Sequence, residues 1–414
     1  MSGITKVVIG GVDTHKYVHV AAAIDPSGRL LGTASFPTGR SGYRQLLGWM
    51  AGYGEVVRVG VEGTGAYGAG LSRYLAAEGV VVAEVNRPNR QARRRKGKSD
   101  TVDAEAAGRA ALNGEATVIA KIQDGIVESI RVLRVAFCSA RATRTRIANQ
   151  IRDLIVTAPD SLRSRLEPLE TDERAAQCSR FQLTGDTANP AEAIKVALKS
   201  LACRYKVLTK EMAELNRRLD QLTSKANADL RGRKGVGVDV AAILLIAAGD
   251  NPERLQSEAA FAAVCGASPV EASSGKTVRH RLNRGGNRQA NHALWRIALV
   301  RMTCDEETKA YIARRRREGK PDREIMRCLK RYIAREIYRC LISPQEVPHG
   351  SDLRVRRVAC SLSLSDVASA LGSSVMKISR LERGLHHDGR LARLYDSWLL
   401  QIGNKQLQSA QPAA

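Results

Sequence analysis

The chain has 414 residues, of which 43% are hydrophobic and only 4% aromatic, and its 66 Lys and Arg against 42 Asp and Glu give a net charge of +24. This length predicts about two to four domains, and the charge predicts a polyanionic partner, with nucleic acid favoured over an anionic membrane surface. The longest apolar run, residues 240–248, is about half the length that a membrane span requires, which argues against a membrane protein.

The eight cysteines include no C-x-x-C pair. This pattern indicates reduced thiols rather than a disulfide framework or a zinc site. The first residues also lack the basic-then-apolar pattern of a secretion signal. We therefore expect a cytoplasmic protein.

Residues 1–125 predict one mixed α/β domain. Alternating and apolar runs predict strands over 6–12, 17–24, 29–36, 56–62 and 80–86, and helices over 41–53, over 68–78 and from Asp100. The order β-β-β-α-β-α-β-α is that of a mixed sheet with helices packed on it.

Acidic residues lie near the ends of these predicted elements. Asp13 is near the end of the first strand, Glu62 ends the fourth, and Asp100 and Asp103 share one side of the last helix. Acids at a helix start are favourable in any case, with Ser99 or Asp100 as the N-cap. Clustered carboxylates, however, raise one another's pKa unless a cation neutralises them. Mg²⁺ takes oxygen ligands and serves phosphodiester transfer, so the sequence predicts a metal site that cuts nucleic acid.

A second interpretation of the same region is a dinucleotide site. Residues 63–68 read G-x-G-x-x-G after a strand, and Glu84 follows about 20 residues on, where a ribose-binding acid is expected. This interpretation leaves Asp13 unexplained, and the glycines also suit a tight turn that brings a substrate backbone to Glu62. It also leaves unexplained a basic run that we expect to contact nucleic acid, which includes Arg93, Arg94, Arg95, Lys96 and Lys98.

Residues 126–225 predict a helical region with a coiled-coil seam. Apolar residues recur at 4-3 spacing from Ile194 to Leu222, which is the heptad pattern of a coiled coil. Two interpretations stay open, since a helical hairpin within the chain and a dimerisation arm would show the same seam.

Residues 226–345 contain the second catalytic candidate. The glycine turn 235–237 before an apolar helix is either a phosphate-binding turn of the helix-hairpin-helix type or a structural turn. Ser274 lies in a Ser/Gly loop that is either a plain linker or a nucleophile's loop, because a Ser hydroxyl attacks only where its surroundings take its proton and stabilise charge. The basic residues that follow are expected to contact nucleic acid: Lys276, Arg279, Arg281, Arg284 and Arg288.

The motifs GVDTHK with Asp13, VEGTGAYG with Glu62 and GKSDTVDA with Asp100 and Asp103 resemble the four-carboxylate pattern of DEDD-type insertion-sequence transposases. This group includes the Piv/MooV-like DNA invertases. The stretch that begins KGVGVDVAAILLIAAGD and contains FAAVCGASPVEASSGKTVRHRLNRGGNRQANHAL is similar to the family's C-terminal transposase domain, and its serine before glycine maps onto Ser274, with Ser273 as the alternative. The resemblance covers residues 1–340 and implies an RNase H/RuvC-like fold.

The resemblance also implies an activity. The four carboxylates would hold Mg²⁺ or Mn²⁺ beside a serine that attacks DNA phosphate and forms a phosphoserine intermediate. The partners implied are the element ends and target in double-stranded DNA and a guide RNA encoded by the element. A homodimer or homotetramer, in a nucleoid-associated prokaryotic setting, would bring one subunit's Ser274 to another's carboxylates. The alternatives are a RuvC-like nuclease, a Piv-like site-specific invertase and a non-catalytic DNA-binding regulator.

Residues 346–400 resemble a repressor-type helix-turn-helix. Helices are predicted over 364–371 and 374–383, and Ser374, Lys377 and Arg380 are expected to face the DNA major groove. A small helical bundle without DNA contact would show a similar pattern. Residues 401–414 are expected to form a disordered tail.

Overall fold

The structure, a computed structural model, describes residues 6–85, 99–116, 118–273, 280–283 and 285–410, with the backbone alone for 404–410. Its first part is a five-stranded mixed sheet in the order β3-β2-β1-β4-β5. β1 is antiparallel to β2 and parallel to β4, β3 is antiparallel to β2, and β5 is parallel to β4. The strands are β1 (Val7–Thr14), β2 (Val18–Ile24), β3 (Leu30–Pro37), β4 (Glu55–Glu62) and β5 (Val81–Val85). The predicted α/β class with a mixed sheet is confirmed.

Three of the described helices cover the two faces of this sheet, namely α1 (Arg40–Ala51), α2 (Ala69–Ala77) and α3 (Asp100–Leu112). Successive side chains of a strand point to opposite faces, so one strand can contribute to two apolar layers. Val12 of β1 belongs to the layer with Leu46 of α1, whereas Ile9 belongs to the layer with Ala107 of α3. The helix that carries the acidic pair therefore packs on the face opposite to α1.

Helix α3 lies unusually close to the sheet because glycines face it. A Cβ atom on Gly11 of β1 would lie 2.1 Å from the carbonyl oxygen of Ala104 and 2.2 Å from the backbone nitrogen of Gly108. A Cβ on Gly60 of β4 would lie 2.3 Å from the carbonyl oxygen of Ala107. At these two positions the backbone of α3 therefore occupies the space that a strand side chain would otherwise fill.

The next part of the chain is a long helical hairpin made by α4 (Ile126–Val156) and α7 (Pro190–Ala226). Leu198, near the start of α7, shares an apolar cluster with Ile151, near the end of α4, and Leu219 shares another with Ile130. The two helices are therefore antiparallel, and part of the predicted seam packs within the chain. The short helices α5 (Asp160–Leu166) and α6 (Thr171–Cys178) lie between them in sequence.

A second helical core follows. Its most buried helix is α9 (Val238–Ala248), which ends at Gly249 with φ of 92°. Around it the structure has the short helix α8 (Ala228–Arg231), a 3₁₀ turn (Pro252–Leu255), α10 (Glu258–Val264), α11 (Arg288–Cys304), α12 (Glu306–Arg317) and α13 (Asp322–Ile342). Two short strands, β6 (Val270–Glu271) and β7 (His280–Arg281), pair antiparallel at its surface.

A hydrogen-bonded junction joins the sheet to this helical core. The guanidinium of Arg254, which is 5% exposed, donates to the carbonyls of Ala247, Ala248 and Ile119. The Asn251 side chain donates to the Ala120 carbonyl and accepts from the Ile122 backbone. Ile119 also forms a β-bridge with Ala83 of β5. The connecting segment is therefore hydrogen-bonded to the sheet on one side and to the helical core on the other.

The last four helices are α14 (Gly350–Ala359), α15 (Leu364–Ala370), α16 (Val375–Glu382) and α17 (Gly389–Ala410). Their core includes Leu353, Val367, Ile378 and Tyr395. α17 continues past Leu400 to Ala410, where the sequence predicts a disordered tail. Among the described helices, none is both long and apolar enough to cross a bilayer.

We predict that Gly11→Ala destabilises the protein by about 3 kcal/mol or more, because the added methyl group would meet helix backbone that cannot rotate away. Thermal or urea unfolding would measure the loss. The matched control is Gly48→Ala in α1, where an added Cβ meets no atom within 4 Å and where helix propensity favours alanine. Equal stability changes in the two variants would contradict the close packing of α3.

Candidate active site

Asp13 and Glu62 lie side by side at the ends of two parallel strands. Val12 of β1 pairs with Val61 of β4, so the residue after each one emerges at the same edge of the sheet. Both line a cavity of about 300 Å³, together with Glu84 and the turn 63–67. The Thr14 hydroxyl donates to the Glu62 carbonyl at 2.7 Å and fixes the two strand ends relative to each other.

The start of α3 brings the other two acids to this edge. Ser99 is the N-cap, and its hydroxyl accepts from the Val102 backbone, as one of the two predicted caps requires. Asp100 is exposed, whereas Asp103 is only 5% exposed. The charge of each of these residues raises the pKa of Asp13, which places both acids within electrostatic reach of the strand end.

His15 is a member of the cluster that the sequence reasoning missed. Its Nε2 atom lies 3.1 Å from Asp13 Oδ2 and 3.5 Å from Asp100 Oδ1. Among the described residues, Asp13, His15 and Asp100 form the one group of three such side chains whose ligand atoms all lie within 4.8 Å. Residues i and i+2 of an extended chain face the same side, so the spacing in GVDTHK held a usable signal.

Burial dominates the electrostatics of Asp13. Desolvation raises the pKa of its carboxyl above the usual range, the charges of Asp103 and Asp100 raise it further, and His15 partly opposes them. A carboxylate in such surroundings gains more from a bound cation than an exposed one does. Carboxylate oxygens suit Mg²⁺ or Mn²⁺, and an imidazole nitrogen suits a transition metal. The donor set therefore fits a divalent metal.

The glycine turn after β4 forms one wall of the cavity. Gly63 has φ of 72°, and a Cβ there would lie 3.2 Å from the Thr14 hydroxyl. Glu84, which the dinucleotide interpretation assigns to a ribose, lines the same cavity as Asp13 and Glu62. A dinucleotide's phosphates would thus meet three acidic side chains, which favours the tight-turn interpretation of these glycines.

The predicted nucleophile Ser274 lies outside the described residues. So do Lys276, Arg279 and Arg284, and the basic residues Arg93, Arg94, Arg95, Lys96 and Lys98. Nearby, Ser273, Arg281 and Arg288 are described and are exposed.

In the C-terminal helices, the three predicted DNA contacts have different surroundings. Ser374 is the N-cap of α16 and accepts from the Lys377 backbone. The Lys377 ammonium lies 2.8 Å from Asp388 Oδ2, so its charge is partly neutralised within the chain. Arg380 is exposed. The helix-turn-helix interpretation of α15 and α16 stays a prediction.

Comparison with known proteins gives matches in both halves of the chain. Residues 10–158 match the family model for DEDD transposases of IS110 type, described as a transposase. Residues 227–313 match a model described as "Transposase IS116/IS110/IS902 family". The chain is also similar to "Insertion element IS110 uncharacterized 43.6 kDa protein" of Streptomyces coelicolor, with 36% identity over 92 residues. That similarity spans 22% of this chain and 22% of the relative.

The first matched segment contains Asp13, Glu62, Asp100 and Asp103, and the second contains Ser274. The structure gathers the acids at one edge of a mixed sheet. Sequence, fold and family models therefore agree, and the chain belongs to the IS110 family of DEDD-type insertion-sequence transposases.

Proposed function

We propose that this protein is a DNA transposase that cuts and rejoins the ends of an insertion element with the help of a divalent metal. The observation that carries the proposal is the convergence of acidic side chains from β1, β4 and α3 on one edge of the sheet, in a chain of the DEDD family.

Asp13, Glu62, Asp100 and Asp103 would hold Mg²⁺ or Mn²⁺. When bound, the ion supplies positive charge that stabilises negative charge developing on a DNA phosphate. Asp13 is the buried anchor of this site, with a side chain that is 11% exposed, whereas Asp100 is 54% exposed and open to substrate. The Thr14 hydroxyl keeps the strand ends of Asp13 and Glu62 in register.

Ser274 would act as the nucleophile. Its hydroxyl oxygen would form a bond to phosphorus as one phosphodiester P–O bond breaks. The serine hydroxyl loses one proton and the departing deoxyribose oxygen gains one, so the step balances. Because one ester replaces another, the reverse attack by a deoxyribose hydroxyl rejoins the strand without a separate energy source. The support for Ser274 is the family resemblance of its motif, and Ser273 is the alternative.

The basic surface would bind nucleic acid mainly through phosphate. The exposed Arg281 and Arg288 lie close in sequence to Ser274, as do Lys276, Arg279 and Arg284, and the run from Arg93 to Lys98 precedes α3. Such contacts position a duplex without reading its sequence. We further propose that base pairing with an element-encoded guide RNA selects the site, and that subunits assemble as a homodimer or homotetramer to combine Ser274 with the carboxylates.

We predict that Asp13→Asn makes the metal-free protein more stable at neutral pH. The pKa of Asp13 is raised in the folded state, so its contribution to stability is present at low pH and is lost as pH rises through the folded-state pKa. The uncharged Asn escapes that loss, and its advantage over wild type should grow from acid to neutral pH. Melting temperatures measured across that pH range test this.

The same variant should lose the stabilisation that Mg²⁺ or Mn²⁺ gives to wild type. Asp25→Asn is the matched control, since Asp25 caps a turn after β2 and Ser27 holds the pKa of its carboxyl low. This control should respond to metal as wild type does. Equal metal stabilisation of Asp13→Asn and wild type would contradict the proposed site.

We predict that Ser274→Ala abolishes a covalent protein–DNA adduct. Wild type would be incubated with Mg²⁺ and a supercoiled plasmid that carries the gene and its flanking non-coding DNA, and the adduct digested to locate the phosphorylated side chain. Ser200→Ala, on an exposed position of α7, is the control. An adduct lost in Ser273→Ala but kept in Ser274→Ala would reassign the nucleophile, and strand cleavage that persists without any adduct would indicate a hydrolytic nuclease.

We predict that RNA copurifies with the protein and that RNase treatment before assembly lowers adduct formation at least tenfold. The RNA should map to non-coding DNA next to the gene, and adding the transcript back should restore the adduct. Full activity after RNase treatment would instead favour an invertase or another enzyme that reads DNA directly.

A further inference from the structure

We propose that His15 is a metal ligand beside Asp13 and Asp100, and that its imidazole gives the site a preference for Mn²⁺ over Mg²⁺. This inference rests on the proposed metal site and adds a residue outside the four carboxylates.

The donor atoms are spaced as the ligands of one metal ion would be. Ligands about 2.1 Å from an octahedral ion are about 3.0 Å apart when they are neighbours. His15 Nε2 lies 3.1 Å from Asp13 Oδ2 and 3.5 Å from Asp100 Oδ1. Both separations are near that spacing, and the three ligand atoms all lie within 4.8 Å of one another, so one ion could contact all three after small side-chain movements.

Backbone hydrogen bonds hold His15 beside these carboxylates. The His15 backbone N–H donates to the Val18 carbonyl at 3.1 Å, which closes the tight connection between β1 and β2. Thr14, the residue before it, is bonded to the Glu62 carbonyl. Hydrogen bonds from Thr14 and from the His15 backbone therefore hold the segment that carries the imidazole, at the edge where the acids meet.

The His15 imidazole is also accessible to an ion from solvent. The His15 side chain is 47% exposed, between the buried Asp13 and the exposed Asp100. An ion can thus enter from solvent and exchange the His15–Asp13 hydrogen bond for coordination to both. Imidazole nitrogen suits transition metals better than Mg²⁺, which prefers oxygen. The consequence is a selectivity that carboxylates alone would not give.

The test measures metal binding directly on the full-length protein at one fixed pH. Electron spin-echo spectroscopy of bound Mn²⁺ should show coupling to an imidazole nitrogen in wild type, and His15→Ala should lose it. In His15→Ala, the affinity for Mn²⁺, measured by titration of the free-ion signal, should fall by a factor about ten or more times larger than the affinity for Mg²⁺ does. His292→Ala is the matched control, because His292 is an exposed residue on α11 and its loss should change neither readout.

His15→Asp is the second variant, since it replaces the nitrogen ligand with oxygen. It should bind both ions, show no nitrogen coupling and shift the preference towards Mg²⁺. If wild type shows no nitrogen coupling, or if His15→Ala binds both ions as tightly as wild type or more tightly, the inference is overturned. Asp13→Asn separates the two proposals. Undiminished Mn²⁺ binding in that variant would contradict the proposed metal site itself, and not only the role of His15.

Discussion

The close approach of α3 to the central strands is the constraint on which the candidate site depends. Gly11 and Gly60 have no side chain on the face that meets the helix, and a Cβ at either position would collide with the backbone of α3. Because the helix starts at the sheet edge where β1 and β4 end, this packing sets how near Asp100 and Asp103 come to Asp13. A substitution far from any acid can therefore disturb the site through the helix that carries half of it.

The ionised carboxylate of Asp13 is held in unfavourable electrostatic surroundings. Asp13 is buried, and two acids of α3 raise its pKa further. Residues so arranged cost stability and are expected where a bound ligand or a reaction requires them. His15 relieves part of this unfavourable energy, since it contacts Asp13 and Asp100. A divalent ion would relieve more, which links metal binding to the stability of this edge of the sheet.

Specific polar contacts join the sheet to the helical core and the helical core to the C-terminal helices. Arg254 and Asn251 bind carbonyls of the segment that connects the sheet to the helices. At the other end, Asp229 of α8 lies 3.3 Å from Arg393 of α17, and the Gly389 backbone donates to the Gly232 carbonyl. Replacing such a buried group leaves its partners unpaired, so these junctions hold the orientation of the helical parts more firmly than apolar contact alone.

The sequence by itself determined the order of strands and helices and the positions of the four acids along them, because apolar periodicity is a local property of neighbouring residues. It narrowed the N-cap of α3 to Ser99 or Asp100, and the structure has Ser99. The sequence did not determine which helix fills the seam of α7, since an apolar stripe is the same whether α4 or another chain covers it. Only the tertiary structure brought Asp100 of α3 beside Asp13 and His15. That contact depends on the relative placement of segments far apart in sequence, and no local pattern contains that placement.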